Sequence, residues 1–230
     1  MGNRRVGYSR QVELTLWQAH RLFRYAQSRP ELAAAIARRG VRAADLAEGE
    51  ALHAALDAAA YRVIYTIKER DLAERAYKEA VDALWDQGYQ LAHLARRCFE
   101  GQRGLLYLLG LPRPAAGRKR IINPVPHRLR RTTAVPWLVN FYGWLGRRPE
   151  LAQVLVERGY PAEELARDVA QAAALQELEI RWRQKAAQAR RARAQRDVAY
   201  FGLYAWLVRT RRLARLALRD RRDWRALLGL

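Results

Sequence analysis

The stretch from Arg29 to Leu56 reads RPELAAAIARRGVRAADLAEGEALHAAL, and it decides how the chain is organised. It recurs from Arg148 to Leu175 as RPELAQVLVERGYPAEELARDVAQAAAL, with half of the aligned residues identical. The offset between the copies is 119 residues, and it also aligns the LLGL at 108–111 with the LLGL at 227–230. A register kept over this distance without an insertion indicates two copies of one structural unit.

The composition of both copies predicts helices. Ala, Leu, Arg and Glu dominate, and apolar residues recur three and four positions apart, which is the spacing of one face of an α-helix. We therefore predict an all-α fold, a tandem duplication of an antiparallel, four-helix-bundle-like unit. The predicted domains are residues 1–111 and 136–230, joined by a basic, proline-rich linker at 112–135.

The longest periodic stretches are residues 43–99 and 162–218. In the first of them, a charged segment at 68–75, KERDLAER, separates two sets of apolar residues. Two structures fit this pattern: one very long helix, or two helices that form a hairpin at the charged segment. We expect the hairpin, because two helices of roughly 25 residues bury a shared stripe compactly. The absence of a glycine or proline turn signal argues for the single helix.

Charge is distributed unevenly between the copies. The chain has 43 Lys and Arg against 23 Asp and Glu, a net charge of +20. Residues 1–111 account for +4 of this charge and residues 112–230 for +16. Most of the surplus is arginine, whose planar guanidinium suits phosphate, although a GC-rich genome can also produce a solvated, arginine-rich face. The difference indicates that the two copies have divided their tasks.

Two basic clusters form the candidate nucleic-acid site. One lies in the long helical stretch of the second copy, where arginines on one side of a helix can follow successive phosphates. The other is the linker, which contains no acid between 112 and 136. An acidic protein is a second class of partner for the same side chains. The candidate residues are Arg118, Lys119, Arg120, Arg128, Arg130, Arg131, Arg183, Lys185, Arg190, Arg191, Arg193, Arg196, Arg211 and Arg212.

Two aromatic residues mark a candidate contact surface in the second copy. Phe201 stands where the first copy has Asp82, and Trp206 stands where it has Gln87. Because we expect a position that is polar in one copy to be solvated in both, large aromatic side chains there indicate a contact. The alternatives are a contact between the two copies, an oligomer contact and a base-stacking platform. A protein contact is favoured, because the aromatic residues around Phe201 are too close in sequence to stack successive bases.

No catalytic or metal-binding motif is visible. The sequence lacks the G-x-S-x-G, P-loop and G-x-G-x-x-G patterns, and its four histidines and Cys98 show no ligand spacing. We therefore predict no enzyme activity, no cofactor and no metal. A single cysteine excludes an intrachain disulfide, and no apolar run is long enough to span a membrane. Together with the absence of a secretory signal, these features predict a cytoplasmic protein without membrane contact.

The pattern R-P-E-L, a glycine, A-x-x-L-A, a long helical stretch and the ending LALRDRRDWRALLGL resembles a family of uncharacterised bacterial proteins. Proteins of that family are built as tandem helical bundles of roughly this length, so the resemblance implies the fold and no activity. The +16 of the second half departs from the family, which is nearer neutral. In architecture and charge only, the chain is also similar to accessory proteins of diversity-generating retroelements.

These observations predict a non-enzymatic nucleic-acid-binding protein. RNA is favoured over DNA, because no recognition helix of a known DNA-binding motif is visible and irregular RNA suits a broad arginine surface. The alternative is a scaffold or adaptor that binds an acidic protein or assembles into a homo-oligomer, with Phe201 and Trp206 in the contact.

Overall fold

The computed structural model describes residues 9–111 and 131–230, with side chains in the second range from Val135 onward. Within these ranges the chain forms helices and no strand. The predicted all-α class is therefore confirmed. The helices are α1 (Arg10–Ser28), α2 (Pro30–Ala37), α3 (Ala43–Cys98), α4 (Arg103–Leu108), α5 (Arg131–Arg147), α6 (Pro149–Glu157), α7 (Ala162–Ala217) and α8 (Arg222–Leu228).

The helices of the two copies match at the offset of 119 residues. α3 and α7 are both 56 residues long, and moving the ends of α3 by that offset gives the ends of α7. α2 and α6 both begin at the proline of the R-P-E-L motif, whose fixed φ suits the first helical position. Gly40 and Gly159 follow these two short helices with φ of 94° and 97°, a conformation that favours glycine.

The predicted hairpin is wrong, because α3 continues as one helix through the charged segment at 68–75. Glu74 and Lys78 form an ion pair one turn apart, a contact that supports a helix in such a segment. The apolar stripe that an isolated long helix would leave bare is covered by α7 instead. Tyr77 of α3, for example, stacks on Trp182 of α7 with 5.4 Å between the ring centroids.

The chain divides into two compact units, and each unit contains parts of both copies. Unit 1 consists of the residues up to Arg70 together with Lys185–Leu230, and unit 2 consists of Asp71–Gln184. Unit 1 thus contains α1, α2, the first half of α3, the second half of α7 and α8. Unit 2 contains the second half of α3, α4, α5, α6 and the first half of α7. The compact units therefore differ from the predicted domains at 1–111 and 136–230.

In unit 1, α1 packs across one side of α3 and α7. Leu56 of α3 and Leu203 of α7 are fully buried in one cluster with Leu16 and Phe23 of α1. A second cluster of buried residues joins α2, α8 and the end of α7. In unit 2, one cluster combines the second half of α3 with α4, α5, α6 and the first half of α7.

Two close contacts fix the antiparallel register of α3 and α7 in unit 1. Gly49 lies directly under the ring of Trp206, and Gly202 lies against the side chain of Leu52. Residue numbers thus rise along α3 as they fall along α7. Ala54 is therefore level with Phe201 in the helix pair.

The start of α5 shortens the predicted linker. α5 begins at Arg131, so it includes the end of the segment 112–135 that we expected to be irregular, and Pro136 lies inside the helix. The remainder of that linker, residues 112–130, lies outside the described residues.

Candidate nucleic-acid interface

The basic surplus of the described residues is concentrated in unit 1. Its described residues, 9–70 and 185–230, contain 23 Lys and Arg against 10 Asp and Glu, a net charge of +13. The described residues of unit 2, 71–111 and 131–184, contain 12 against 13, a net charge of −1. Over the full sequence, which includes the basic residues at 112–130, unit 1 carries +15 and unit 2 carries +5, so unit 1 holds most of the positive charge.

The second half of α7 carries three of the predicted arginines without a counter-charge. Arg190 and Arg191 are exposed, and Arg193 is half-buried. None of the three forms an ion pair or a hydrogen bond with another described residue. Their guanidinium groups are therefore free to meet an anionic partner.

Arg196 departs from the predicted row. Its Nη2 lies 2.5 Å from Oδ1 of Asp197, and only a quarter of its side chain is exposed. The helix turns this side chain toward the core, because Arg196 is seven residues, or about two turns, before the fully buried Leu203. Arg196 is thus neutralised within the chain.

Two further predicted residues are neutralised by carboxylates of the chain itself. Arg183 lies in unit 2, with its Nη2 at 2.5 Å from Oε1 of Glu179. Lys185 lies in unit 1 and donates to Oε2 of Glu69 at 2.8 Å. The hydrogen bond from Lys185, followed by one from Tyr65, lowers the pKa of Glu69, so this carboxylate stays ionised. Lys185 thus joins α7 to α3, whereas Arg183 pairs within α7 one turn away and is 71% exposed.

Arg211 also has a structural role, whereas Arg212 is exposed without a described partner. Arg211 donates to Oε1 of Gln18 at 3.0 Å and to the carbonyl of Gly229 at 2.5 Å. Arg21 donates beside it to the carbonyls of Ala226 and Leu227, so two guanidinium groups cap the carboxyl end of α8. Burial, and then the nearby Arg215 and Arg21, lower the pKa of Arg211.

The predicted linker residues lie outside the described side chains. Arg118, Lys119, Arg120, Arg128 and Arg130 lie outside the described residues. Arg131 is the first residue of α5, and its side chain is outside the described part as well. Their role stays a prediction.

The two aromatic candidates have opposite environments. Trp206 is 3% exposed, and its Nε1 donates to the carbonyl of Asp45 at 2.9 Å. Its ring lies 5.4 Å from that of Phe23, so Trp206 joins helices of the two copies inside unit 1 and cannot touch an outside partner. Phe201 is 65% exposed. The comparison of the copies therefore selected an exposed residue at 201, whose contact stays a prediction, and a core residue at 206.

An open groove between α2 and α8 adds arginines that the sequence did not single out. It has a volume of about 730 Å³ and is lined by Arg38, Arg39 and Arg221, with Glu31 as its acid. The guanidinium of Arg221 lies 3.6 Å from the ring centroid of Trp224. The signal available in the sequence was the Arg38-Arg39 pair before Gly40, where the second copy has Glu157-Arg158.

Other ligand classes find less support among the described residues. In residues 9–111 and 131–230, no three His, Cys, Asp or Glu side chains are grouped to hold a metal ion. No helix in these ranges is long and apolar enough to cross a membrane. The chain matches no protein-family model, no curated protein and no solved structure.

Proposed function

We propose that this chain is a non-enzymatic nucleic-acid-binding protein that uses the arginines of unit 1, with RNA favoured over DNA. The observation that carries the proposal is the set of α7 arginines without a carboxylate partner in a unit whose described residues have a net charge of +13. The members of this set that the sequence predicted as contacts are Arg190, Arg191, Arg193 and Arg212. Arg183, Lys185, Arg196 and Arg211 leave the proposed contact set because the chain itself uses them.

Electrostatics supports this proposal. Arginines that neutralise phosphates release condensed counterions, and this release drives binding that does not depend on sequence. The groove between α2 and α8 adds Arg38 and Arg39 to the cationic surface of unit 1, whereas Arg221 in the same groove is paired with Asp223 at 3.3 Å. A broad surface of this kind suits irregular RNA, whose phosphates are not spaced along a regular groove.

A pair of matched variants tests the proposal. In the first, Arg190, Arg191, Arg193 and Arg212 are all changed to Gln; in the second, Arg97, Arg103, Arg158 and Arg181 of unit 2 are changed to Gln, so both variants lose the same charge. We expect the unit 1 variant to bind a structured RNA at least tenfold more weakly. Its plot of log K against log salt should be shallower by about three to four, because each lost phosphate contact removes about one unit of slope.

The control separates a local surface from the charge of the whole chain. The unit 2 variant should keep most of the affinity. Equal weakening of both variants, measured by filter binding or anisotropy with unchanged circular dichroism, would contradict a site on unit 1.

A second function, an adaptor for an acidic protein, is favoured by one observation. Phe201 is exposed on the helix that carries the unpaired arginines, and an aromatic residue beside arginines is typical of protein contacts. A pull-down with and without nuclease distinguishes the two functions. An adaptor keeps its protein partner after nuclease treatment. A nucleic-acid-binding protein loses the proteins that were attached to it only through RNA.

A further inference from the structure

Two helices of unit 1 expose apolar side chains in the spacing of a coiled-coil seam. On α3, the exposed residues are Ala47, Ala51, Ala54, Ala58, Tyr61 and Tyr65. On α7, they are Ala194, Val198, Phe201, Ala205 and Val208. Tyr61, Val198 and Phe201 are 70%, 74% and 65% exposed. Steps of three and four residues place each set along one side of its helix.

Both sets lie on the side of the helix pair that faces away from α1. Leu56 and Leu203 are buried with α1. Ala54 and Phe201 are each two residues earlier, which is about half a turn around a helix of 3.6 residues per turn. The pair α3 and α7 is therefore covered by α1 on one side and exposes an apolar surface on the other. We call this surface the seam face.

The fold does not require an apolar surface at this place. In unit 2, the positions equivalent to Val198 and Phe201 hold Glu79 and Asp82, and both are exposed. The equivalent part of α3 in unit 2 thus has a charged surface. The α7 half of the seam face is therefore apolar in unit 1 alone, whereas the positions equivalent to its α3 half are mostly apolar in unit 2 as well, at Ala166, Ala170, Ala173 and Ile180. Contiguous exposed apolar patches mark interaction sites.

We propose that the seam face binds the seam face of a second copy of this chain, with α3 of each copy packed on α7 of the other. A two-fold axis parallel to the helices keeps every residue at its own level, so the register within one copy also holds between copies. Large and small side chains then meet. The facing pairs are Tyr61 with Ala194, Ala58 with Val198, Ala54 with Phe201, and Ala47 with Val208. This alternation is what interdigitated helix packing requires.

Charge complementarity favours the same arrangement. The part of α3 in unit 1, residues 43–70, has five acidic and three basic side chains, a net charge of −2. The part of α7 in unit 1, residues 185–217, has one acidic and nine basic side chains, a net charge of +8. Packing α3 on α7 brings opposite charges together. Packing α7 on α7 would bring two strongly positive helices together.

The size of the seam face is sufficient for a dimer. From Ala47 to Tyr65 the face is about 27 Å long at 1.5 Å per residue, and two helices are about 20 Å wide. Its footprint is on the order of 500 Å² per copy, so that the two copies together bury about 1,000 Å², the lower limit of a specific interface.

Sedimentation of the full chain, treated with nuclease and kept at high salt to remove bridging RNA, tests the dimer. We expect wild-type protein at twice the chain mass of 26.6 kDa. The variant Val198→Glu with Phe201→Asp carries the residues that unit 2 tolerates, and it should sediment as a monomer with unchanged helicity. The control, Tyr107→Asp with Ile180→Glu, changes two exposed apolar residues of unit 2 and should stay dimeric. Monomeric wild-type protein at 50 μM, or equal dissociation of the control, would overturn the proposal.

Disulfide trapping tests the register independently of dimer strength. Ala51→Cys and Ala205→Cys are introduced into separate chains that also carry Cys98→Ser, which removes the single native cysteine. We expect cross-linked dimers when the two chains are mixed and oxidised, because residues 51 and 205 are level. Cross-linking of the Ala51→Cys chain with itself would show α3 on α3 and would refute the arrangement.

Discussion

The cores of the two units differ at several equivalent positions, and five of them show the contrast most clearly. Unit 1 has Phe23, Val41, Gly49, Trp206 and Leu207. At these positions unit 2 has Tyr142, Tyr160, Asp168, Gln87 and Gly88. In unit 1 the ring of Trp206 occupies the space above Gly49, where a Cβ atom would come within 2.2 Å of the ring. In unit 1, a large aromatic side chain thus packs directly on a glycine of the facing helix.

Unit 2 has a buried polar network in the same place. Asp168 is fully buried, and its Oδ2 accepts hydrogen bonds from Tyr160 at 2.7 Å and from Tyr142 at 3.4 Å. Oδ1 of Asp168 and Oε1 of Gln87 are buried without a hydrogen-bond partner among the described residues. Burial raises the pKa of Asp168, and the two tyrosine hydrogen bonds oppose this shift without cancelling it.

The difference shows how one helical scaffold keeps its halves in the correct pairing. Trp206 requires a glycine on the facing helix, and the hydroxyl of Tyr142 lies 3.5 Å from where a Cβ of Gly88 would stand. Exchanging the two halves of the long helices between the units would place Trp206 over Asp168. Such a mismatch is a penalty against wrong pairing.

Separating the two copies tests the basis of this comparison, which is that the core of each unit is built from helices of both copies. Residues 1–117 and 118–230 are co-expressed as two chains, with a tag on the first. We expect the tagged chain to retain the other through a wash in 1 M salt, because each apolar core combines helices of both copies. Two chains that separate, each with a cooperative unfolding transition, would show tandem bundles instead.

Removing the ring of Trp206 should affect unit 1 more than any comparable change affects unit 2. Trp206→Ala leaves a cavity over Gly49, and we expect a loss of about 3–5 kcal/mol in the free energy of unfolding. Gln87→Ala, the equivalent change in unit 2, removes a buried acceptor without a partner and should cost less than about 1 kcal/mol. If denaturant unfolding shows equal losses of unfolding free energy for the two variants, the aromatic packing in unit 1 is not more important than the polar residue in unit 2.

Asp168→Asn should stabilise unit 2 at neutral pH. The folded-state pKa of Asp168 is raised, so the unfolded chain loses this proton first as pH rises. The stability that the protonated carboxyl contributes is full below the unfolded pKa, about 4, and is lost as pH rises through the folded pKa. We expect the Asn variant to be more stable by about 1–3 kcal/mol at pH 8, with the difference disappearing near pH 4.

The matched control for this prediction is Asp86→Asn, which changes an exposed carboxylate of unit 2. It should leave the pH dependence of unfolding as in the wild type. An Asp168→Asn variant that is less stable at pH 8 would show that the charged carboxylate contributes to the fold.

The helices and their repeat were predictable from the sequence, apart from the hairpin expected at 68–75 and the end of the linker. The partners of each helix were not predictable. Helical periodicity and the R-P-E-L motif place the helices and their repeat, because these signals are short-range. A repeat does not say which copy a half-helix packs against, so the compact units could not be predicted. The same limit applies to the charges, since Lys185 meets Glu69, a residue 116 positions away. At position 206, a polar residue in the other copy suggested exposure, but Gln87 itself is half-buried.

Salt dependence of RNA binding by the wild-type chain tests the functional claim most directly. With about six to ten phosphate contacts, the affinity should fall by a factor on the order of a thousand or more between 50 and 200 mM salt. That result would show that cations of the chain displace counterions from phosphates. An affinity that barely changes over this range, or no binding at 50 mM, would contradict a nucleic-acid-binding role for unit 1.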